Sequence, residues 1–243
     1  LSSSSAASDV YKRQGNPVTT GTDNTLIGGL AGDALTTGSL NTAIGKTALG
    51  TDTLGSRSIA VGRYALGTQN FTTATDTYNV AMGYSAGGAL TTGIKNILIG
   101  GEAGDAITDA DYNVAIGHGA LSSNTIGSNS VAIGLNALFW QNPATATDMY
   151  NTAVGYGTGS QITTGVNNTL IGGAAGDALT TGNRNTVVGE AALSTDTLGA
   201  RNVAIGNAAL NAQNFTTATD SYNTAVGYAA GTSVTTGQGN NII

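Results

Sequence analysis

The chain has 243 residues and a formal net charge of −6, with 37 glycines but only 9% charged and 5% aromatic residues, so a thin core is expected rather than a thick globular one. The acidic balance and the scattering of the few Lys and Arg residues argue against nucleic acid as a partner. There is no cysteine, hence no disulfide or thiolate metal site, and no stretch approaches the roughly 18 apolar residues that a membrane helix needs, so no membrane insertion is expected.

In chain order, Ser4 to Gln14 (Ser-Ser-Ala-Ala-Ser-Asp-Val-Tyr-Lys-Arg-Gln) resemble the translated read of a transposase sequencing adapter. Residues 1–14 are therefore expected to be a disordered artefact and are set aside from the fold. Residues 15–23 form a lead-in. Residues 24–243 are expected to form a repeat array that is truncated within the motif at Asn240.

That motif has five positions: Asn or Ser, a β-branched residue, Ala, Leu or Val, then Ile, Val or Met, then Gly. It begins at Asn24, Asn41, Ser58, Asn79, Asn96, Asn113, Ser130, Asn151, Asn168, Asn185, Asn202 and Asn223, in steps of 17, 17, 21 and 17 residues repeated as a 72-residue unit. Three residues after each closing Gly stands Ala, except at Thr158, and the next position alternates by coil between Gly (Gly32, Gly87, Gly104) and Leu (Leu49, Leu66, Leu121). A further Gly near the end of most coils, as at Gly38, Gly55 and Gly93, is expected to mark a turn, where positive φ would carry no steric penalty.

Short, β-branched and bounded by turn formers, the motif predicts one strand per coil. The segment after it, such as Lys46-Thr47-Ala48-Leu49, fits a second strand or a single helical turn, with strand preferred. The fold class is all-β, a single-chain parallel β-solenoid (β-roll) of about 13 short coils. In-register stacking places each Asn above the previous one, as an amide ladder with Ser58 and Ser130 as exceptions. Two adjacent motif positions are both apolar, as in Ala43 beside Ile44, Ala115 beside Ile116 and Leu170 beside Ile171. Neighbouring strand residues face opposite sides, so one of the two lines the interior and the other forms an outward apolar stripe. A partner subunit is expected to cover that stripe; the alternative is that the second segment of the coil folds over it.

The repeats Asn-Thr-Ala-Val-Gly-Tyr and Ser-Val-Ala-Ile-Gly, with their spacing, resemble the head repeats of trimeric autotransporter adhesins and similar repeats of phage tail fibres, over Asn24 to Ile243. The resemblance implies a left-handed parallel β-roll assembled as a homotrimer, extracellular at a cell or virion surface, and contacting host-surface glycans or proteins. The coils of 17 and 21 residues depart from the shorter adhesin ones, and the regular four-coil unit stands closer to tail-fibre sequences.

The third coil of each unit is the long one, carrying Gln69 to Asp76, Gln141 to Asp148 and Gln213 to Asp220 as loops. Aromatics gather there: Phe71 and Tyr78, then Phe139, Trp140 and Tyr150, then Phe215 and Tyr222. Their rings are candidates for stacking on sugars, or else anchors that tie each loop to the coils. Tyr84, Tyr156 and Tyr228 recur every 72 residues and fit a structural rim or, as the alternative, a surface stripe. Asp33, Asp105 and Asp177 also recur, but four coils separate them, so they cannot share an ion; Asp105, Asp109 and Asp111 are the one local acidic run. No metal or cofactor is expected.

The single histidine, His118, has no equivalent in other coils and no triad around it, and Gly28-Gly29 lacks the Lys and helix of a phosphate loop. The chain is therefore read as a non-enzymatic structural and adhesive fibre segment. Its alternatives are an ice-binding solenoid, invited by pairs such as Thr36-Thr37, Thr91-Thr92 and Thr163-Thr164 that nevertheless skip coils, and, more remotely, a polysaccharide-active enzyme.

Overall fold

The computed structural model describes residues 18–243, so the adapter-like segment 1–14 lies outside the described residues. The fold is an all-β parallel β-solenoid of about 13 turns, with strands and turns but no helix among the described residues. The described residues divide into two compact units, the first ending at Asn113 and the second Val114–Ile243.

In the first unit, strands β1 (Thr25–Ile27), β2 (Thr42–Ile44), β4 (Ile59–Val61), β6 (Val80–Met82) and β7 (Ile97–Ile99) pair in that order, all parallel. Two-residue strands β3 (Gly55–Ser56) and β5 (Thr75–Asp76) pair beside them. The second unit repeats the plan. Its main ladder runs β8 (Val114–Ile116), β10 (Val131–Ile133), β12 (Thr152–Val154), β13 (Thr169–Ile171), β14 (Thr186–Val188), β16 (Val203–Ile205), β18 (Thr224–Val226) and β19 (Asn241–Ile242). Short pairs β9 (Gly127–Ser128) with β11 (Thr147–Asp148), and β15 (Gly199–Ala200) with β17 (Thr219–Asp220), flank it. Each short pair joins the second and third coils of a sequence unit, so the four extra residues of the long coil are absorbed without shifting the main register.

The motif Asn holds one coil to the next. Asn24 Oδ1 accepts from the backbone N–H of Asn41 at 3.0 Å, and Asn24 Nδ2 donates to the Gly38 carbonyl at 2.9 Å. Asn41 repeats both contacts, to Ser58 N at 2.8 Å and Gly55 O at 2.9 Å. In the second unit Asn168 reaches Asn185 N at 3.0 Å and Gly182 O at 2.9 Å. These side chains are fully buried, where an unmade hydrogen bond costs about 1–3 kcal/mol. The amide thus bridges rungs and ties the strand start to the turn that closes its own coil.

The segment after the strand is neither strand nor helical turn. It alternates left-handed residues, Thr47 at φ 57° and Leu49 at φ 49°, then Tyr64 at 63° and Leu66 at 48°. Ala and Leu favour helix, but inter-rung bonding overrides that preference. Thr47 N–H donates back to Gly29 O at 2.9 Å while Leu49 N–H donates forward to Ala65 O at 3.0 Å. Bonding to both neighbours requires the amides to point alternately up and down, which a right-handed turn cannot supply. Each left-handed non-glycine costs about 1–2 kcal/mol that this bonding offsets.

The core is thin, and what fills it varies by coil type. In every three-residue strand the middle residue is buried, from Leu26 and Ala43 to Ala225. Where the strand brings Leu26 inward, the left-handed position is Gly32, whose added Cβ would meet Leu26 Cδ2 at 2.7 Å and Leu35 Cδ1 at 2.9 Å. Where the strand brings only Ala43, Leu49 takes the left-handed position and fills the space, fully buried. Ala81 is nevertheless paired with Gly87, because there the neighbouring rungs take the space: an added Cβ would meet Leu98 Cδ1 at 2.7 Å and Leu66 Cδ2 at 3.0 Å.

Gly45 closes its motif at φ +131°, and a Cβ there would lie 2.5 Å from the Gly62 carbonyl oxygen on the next rung. Gly45→Ala is expected to lower unfolding free energy by at least about 1–3 kcal/mol. Gly29→Ala, where an added Cβ meets nothing within 4 Å, should stay within about 0.5 kcal/mol of the parent. Equilibrium denaturation of both variants checks the pair, and an equal effect would contradict the rung-contact account.

Candidate functional site

The outward face of the ladder comes directly from strand alternation. With each middle residue inside, the residues on either side of it point out: Ile27, Ile59, Met82 and Ile97 are exposed in the first unit, and Ile171, Ile205 and Val226 in the second. Ile27 is 42% accessible and Ile171 41%, which overturns the alternative that the second segment folds over this face. Among the described residues, no outward position of these three-residue strands is charged. Thr25, Thr42, Thr152 and Thr169 supply polarity on the first outward position, while the last one is Ile, Val or Met throughout.

Tyr78, Tyr150 and Tyr222 were singled out from sequence as long-coil aromatics, and Tyr84, Tyr156 and Tyr228 as a recurring set, but the column beside this face to which the first three belong was not. The position before each motif Asn is left-handed along both units, including Leu40, Arg57, Tyr78, Lys95 and Tyr112, then Asn129, Tyr150, Arg184, Arg201 and Tyr222. Side chains at this corner pair between rungs. Arg57 lies 5.7 Å from the Tyr78 ring centre and Lys95 5.0 Å from that of Tyr112; Arg201 lies 5.6 Å from Tyr222. Arg57 also meets Asp76 at 3.1 Å, and Arg201 meets Asp220 at 2.9 Å. The opposite border carries Arg63, 5.5 Å from the Tyr84 ring. Tyr84, Tyr156 and Tyr228 are all exposed there. Such exposed cation–aromatic pairs contribute about 0.5–1 kcal/mol each.

The long-coil aromatics separate into inner and outer groups. Phe71 and Phe215 are buried and anchor their loops, with Pro143 buried at the equivalent place. Tyr78, Trp140, Tyr150 and Tyr222 are about half exposed or more, and Phe139 is half-buried, edge-on to Trp140 at 4.9 Å. The Tyr150 hydroxyl donates to Asp148 Oδ2 at 3.2 Å, and the charge on Asp148 pushes its pKa up. Trp140 thus offers indole surface, whereas Tyr78 and Tyr222 are partnered by the arginine of the preceding rung.

Several of the other sequence candidates have structural partners. Thr91 and Thr92 hydroxyls donate to Asp109 Oδ1 at 2.8 and 2.9 Å, and Asp111 Oδ1 accepts from Ile94 N–H at 2.7 Å. Thr36 donates its hydroxyl to Thr53 O at 3.0 Å and Thr163 to Thr180 O at 3.3 Å, so these hydroxyls serve coil stacking. Burial pushes the pKa of Asp177 up. No group of three or more metal-ligating side chains occurs among the described residues. His118 lies exposed beside the motif Gly.

Inside the core, a polar constellation escaped the sequence reading. Three residues past the left-handed position, coils with Gly carry Leu35, Leu90, Ile107, Ile162 or Leu179, whereas coils with Leu carry Asp52, Gln69, Asn124, Gln141, Asp196 or Gln213, all buried. Gln69 Nε2 donates to Asp52 Oδ2 at 2.6 Å and to Ser58 Oγ at 2.9 Å, and Gln69 Oε1 accepts from Asn79 Nδ2 at 2.9 Å. Ser58 and Ser130 therefore stand where Gln69 and Gln141 bring an amide to the ladder. A polar residue recurring every 72 positions just after Leu was the available signal.

None of the known protein families, curated proteins or solved structures compared with this chain matches it. The chain is thus shown as a parallel β-solenoid repeat protein, and the likeness to adhesin heads and tail fibres rests on the motif and its spacing.

Burial raises the pKa of Asp52 above its ordinary 3.8, against the opposing hydrogen bonds from Gln69, Gly55 and Phe71. The native carboxyl therefore keeps its proton to higher pH than the unfolded one. Its contribution is fully present below the unfolded pKa and is lost as pH rises through the folded pKa. Asn124 occupies the equivalent position, accepting from Gly127 N–H at 3.0 Å, so Asp52→Asn is expected to fold and to remove this loss. Thermal midpoints measured from about pH 4 to 7 should decline less in the variant; parallel curves would refute the assignment.

Proposed function

We propose that the chain is a structural and adhesive segment of an extracellular fibre, at a cell surface or on a virion, that self-associates as a homotrimer and carries no enzymatic activity. The observation that carries this reading is the uncharged outward face of the ladder, apolar at its last position on rung after rung. Each rung offers a partly exposed Ile, Val or Met whose covering contributes on the order of 1 kcal/mol, and the contributions add along the ladder. Arg and Tyr border the face, the composition found around protein–protein interfaces. Exposed Trp140, with neighbouring Asn and Thr side chains of the long coil, is suited to weak contacts with host-surface glycan or protein, which repetition along a fibre would strengthen. The use of the Thr36 and Thr163 hydroxyls within the stack weighs against the ice-binding alternative.

Light scattering on the size-exclusion peak of the chain is expected to give a mass of three copies. Ile97→Lys combined with Ile171→Lys should shift the mass towards one copy while leaving the far-ultraviolet circular dichroism unchanged. A well-behaved monomeric parent would overturn the reading.

A further inference from the structure

The contacts that stack these coils are the same on nearly every rung. Any motif Asn can bond any other, and any closing Gly can lie against any other. A coil omitted from the stack would leave its neighbours with a complete ladder, and closing out a loop of one coil's length adds little entropic cost beyond the stacking that is lost. Repeat proteins are prone to misassembly of this kind. Something other than the ladder must specify which coil follows which.

We infer that the buried Asp–Gln pairs, Asp52 with Gln69 and Asp196 with Gln213, select stacking order by making one coil acceptable only next to its partner. The two pairs lie in separate units and have the same geometry. Gln213 Nε2 donates to Asp196 Oδ2 at 2.6 Å, as Gln69 does to Asp52. In both, Oδ1 of the aspartate accepts from backbone N–H groups on its own coil and the next, Gly55 and Phe71 for Asp52, Gly199 and Phe215 for Asp196. The glutamine oxygen passes the network onward, to Asn79 Nδ2 at 2.9 Å and Asn223 Nδ2 at 2.7 Å. On the outer sides of the couplet the same inward position is Leu35 before and Leu90 after.

If the coil of Gln69 were left out, Asp52 would meet Leu90 and lose its amide donor and the Phe71 N–H. If the coil of Asp52 were left out, Gln69 Nε2 would lie against Leu35. Either error buries a polar group without its partner, whereas the native order satisfies both. An all-aliphatic interior would stack without that discrimination, and a buried polar pair that fixes register is a well-attested use of such groups. The couplet also encloses the step from a 17-residue to a 21-residue coil, where an omission would misplace the projecting loop.

The chain has no cysteine, so engineered pairs report stacking cleanly. Thr42→Cys with Ile59→Cys marks native neighbours, because these residues are register partners. Thr25→Cys with Ile59→Cys marks an omitted coil: one strand intervenes, and about 9.6 Å at the usual spacing is too far for a disulfide. Both pairs would be placed in the parent and in a chain recast to the aliphatic type by Leu49→Gly, Asp52→Leu, Leu66→Gly and Gln69→Leu, then refolded in a glutathione redox buffer. The parent should close only the neighbour pair, and the recast chain should close the omission pair at least tenfold more than the parent. A folded recast chain that closes only the neighbour pair overturns the inference. Should the recast chain not fold, the cycle of Asp52→Leu, Gln69→Leu and their combination decides. Each single change is expected to reduce the folding equilibrium constant more than tenfold, and the combination less than the product of the two. A combined effect equal to that product would equally overturn it.

Discussion

A thin solenoid has almost no interior in which to hide an unpaired polar group, and the motif Asn answers that constraint. Each turn leaves a glycine carbonyl pointing into the stack, and each strand begins with an N–H facing the previous rung. One primary amide accepts from the second and donates to the first, as Asn24 does for Asn41 and Gly38. Aspartate would lack the donor. Serine is too short to span both groups, and where Ser58 and Ser130 occur, a glutamine from the same coil reaches in to bond them. The side chain is thus fixed by the bonding inventory of the backbone around it.

From this bridge follow the backbone geometry and the size of the core. Coils that bond rung to rung need amides facing both ways along the stack, hence the alternating left-handed residues and the closing glycines near φ +130°. Rungs held this close leave room for only a few side chains each. Leu26 forces Gly32, and Ala43 permits Leu49. The position three residues further on then divides into aliphatic and polar types, and the polar type occurs only where Leu has already filled the apolar space.

The strands, the parallel register and the inward–outward alternation were legible because each depends on residue type at a fixed spacing. Asn-Thr-Ala-Ile-Gly states its own conformation. The second segment was not, since Lys46-Thr47-Ala48-Leu49 contains no residue that requires positive φ, and hydrogen bonds from adjacent rungs impose it. For the long-coil rings the sequence left sugar stacking and anchoring both open, because residue type alone does not show which ring turns inward, and Phe71 and Phe215 prove to be the anchors. An insertion also needs an anchor, and the most apolar ring of the loop provides it. The corner column was hidden by its variability: Arg57, Tyr78, Lys95 and Tyr112 share a backbone conformation and a stacking relation but no chemistry.

In-register stacking also limits what the outward face can carry. A charge placed there would recur about 4.8 Å from its neighbour if the repeat were strict, and like charges at that distance repel. In the first unit rings separate the cations of the corner column, so that Arg57 and Lys95 are divided by Tyr78, whereas in the second unit Arg184 and Arg201 stand on successive rungs. Repulsion alone would therefore explain a face of threonine or serine as well as one of isoleucine. It does not explain why the last strand position is Ile, Val or Met on every complete rung while the first tolerates Thr. A hydroxyl there would cause no repulsion and would be better hydrated than a half-exposed isoleucine. The preference for the apolar side chain at that one column is what removal from water by another subunit would select, and it singles out the closing edge of the strand, beside Tyr84 and Arg63, as the deepest part of such a contact.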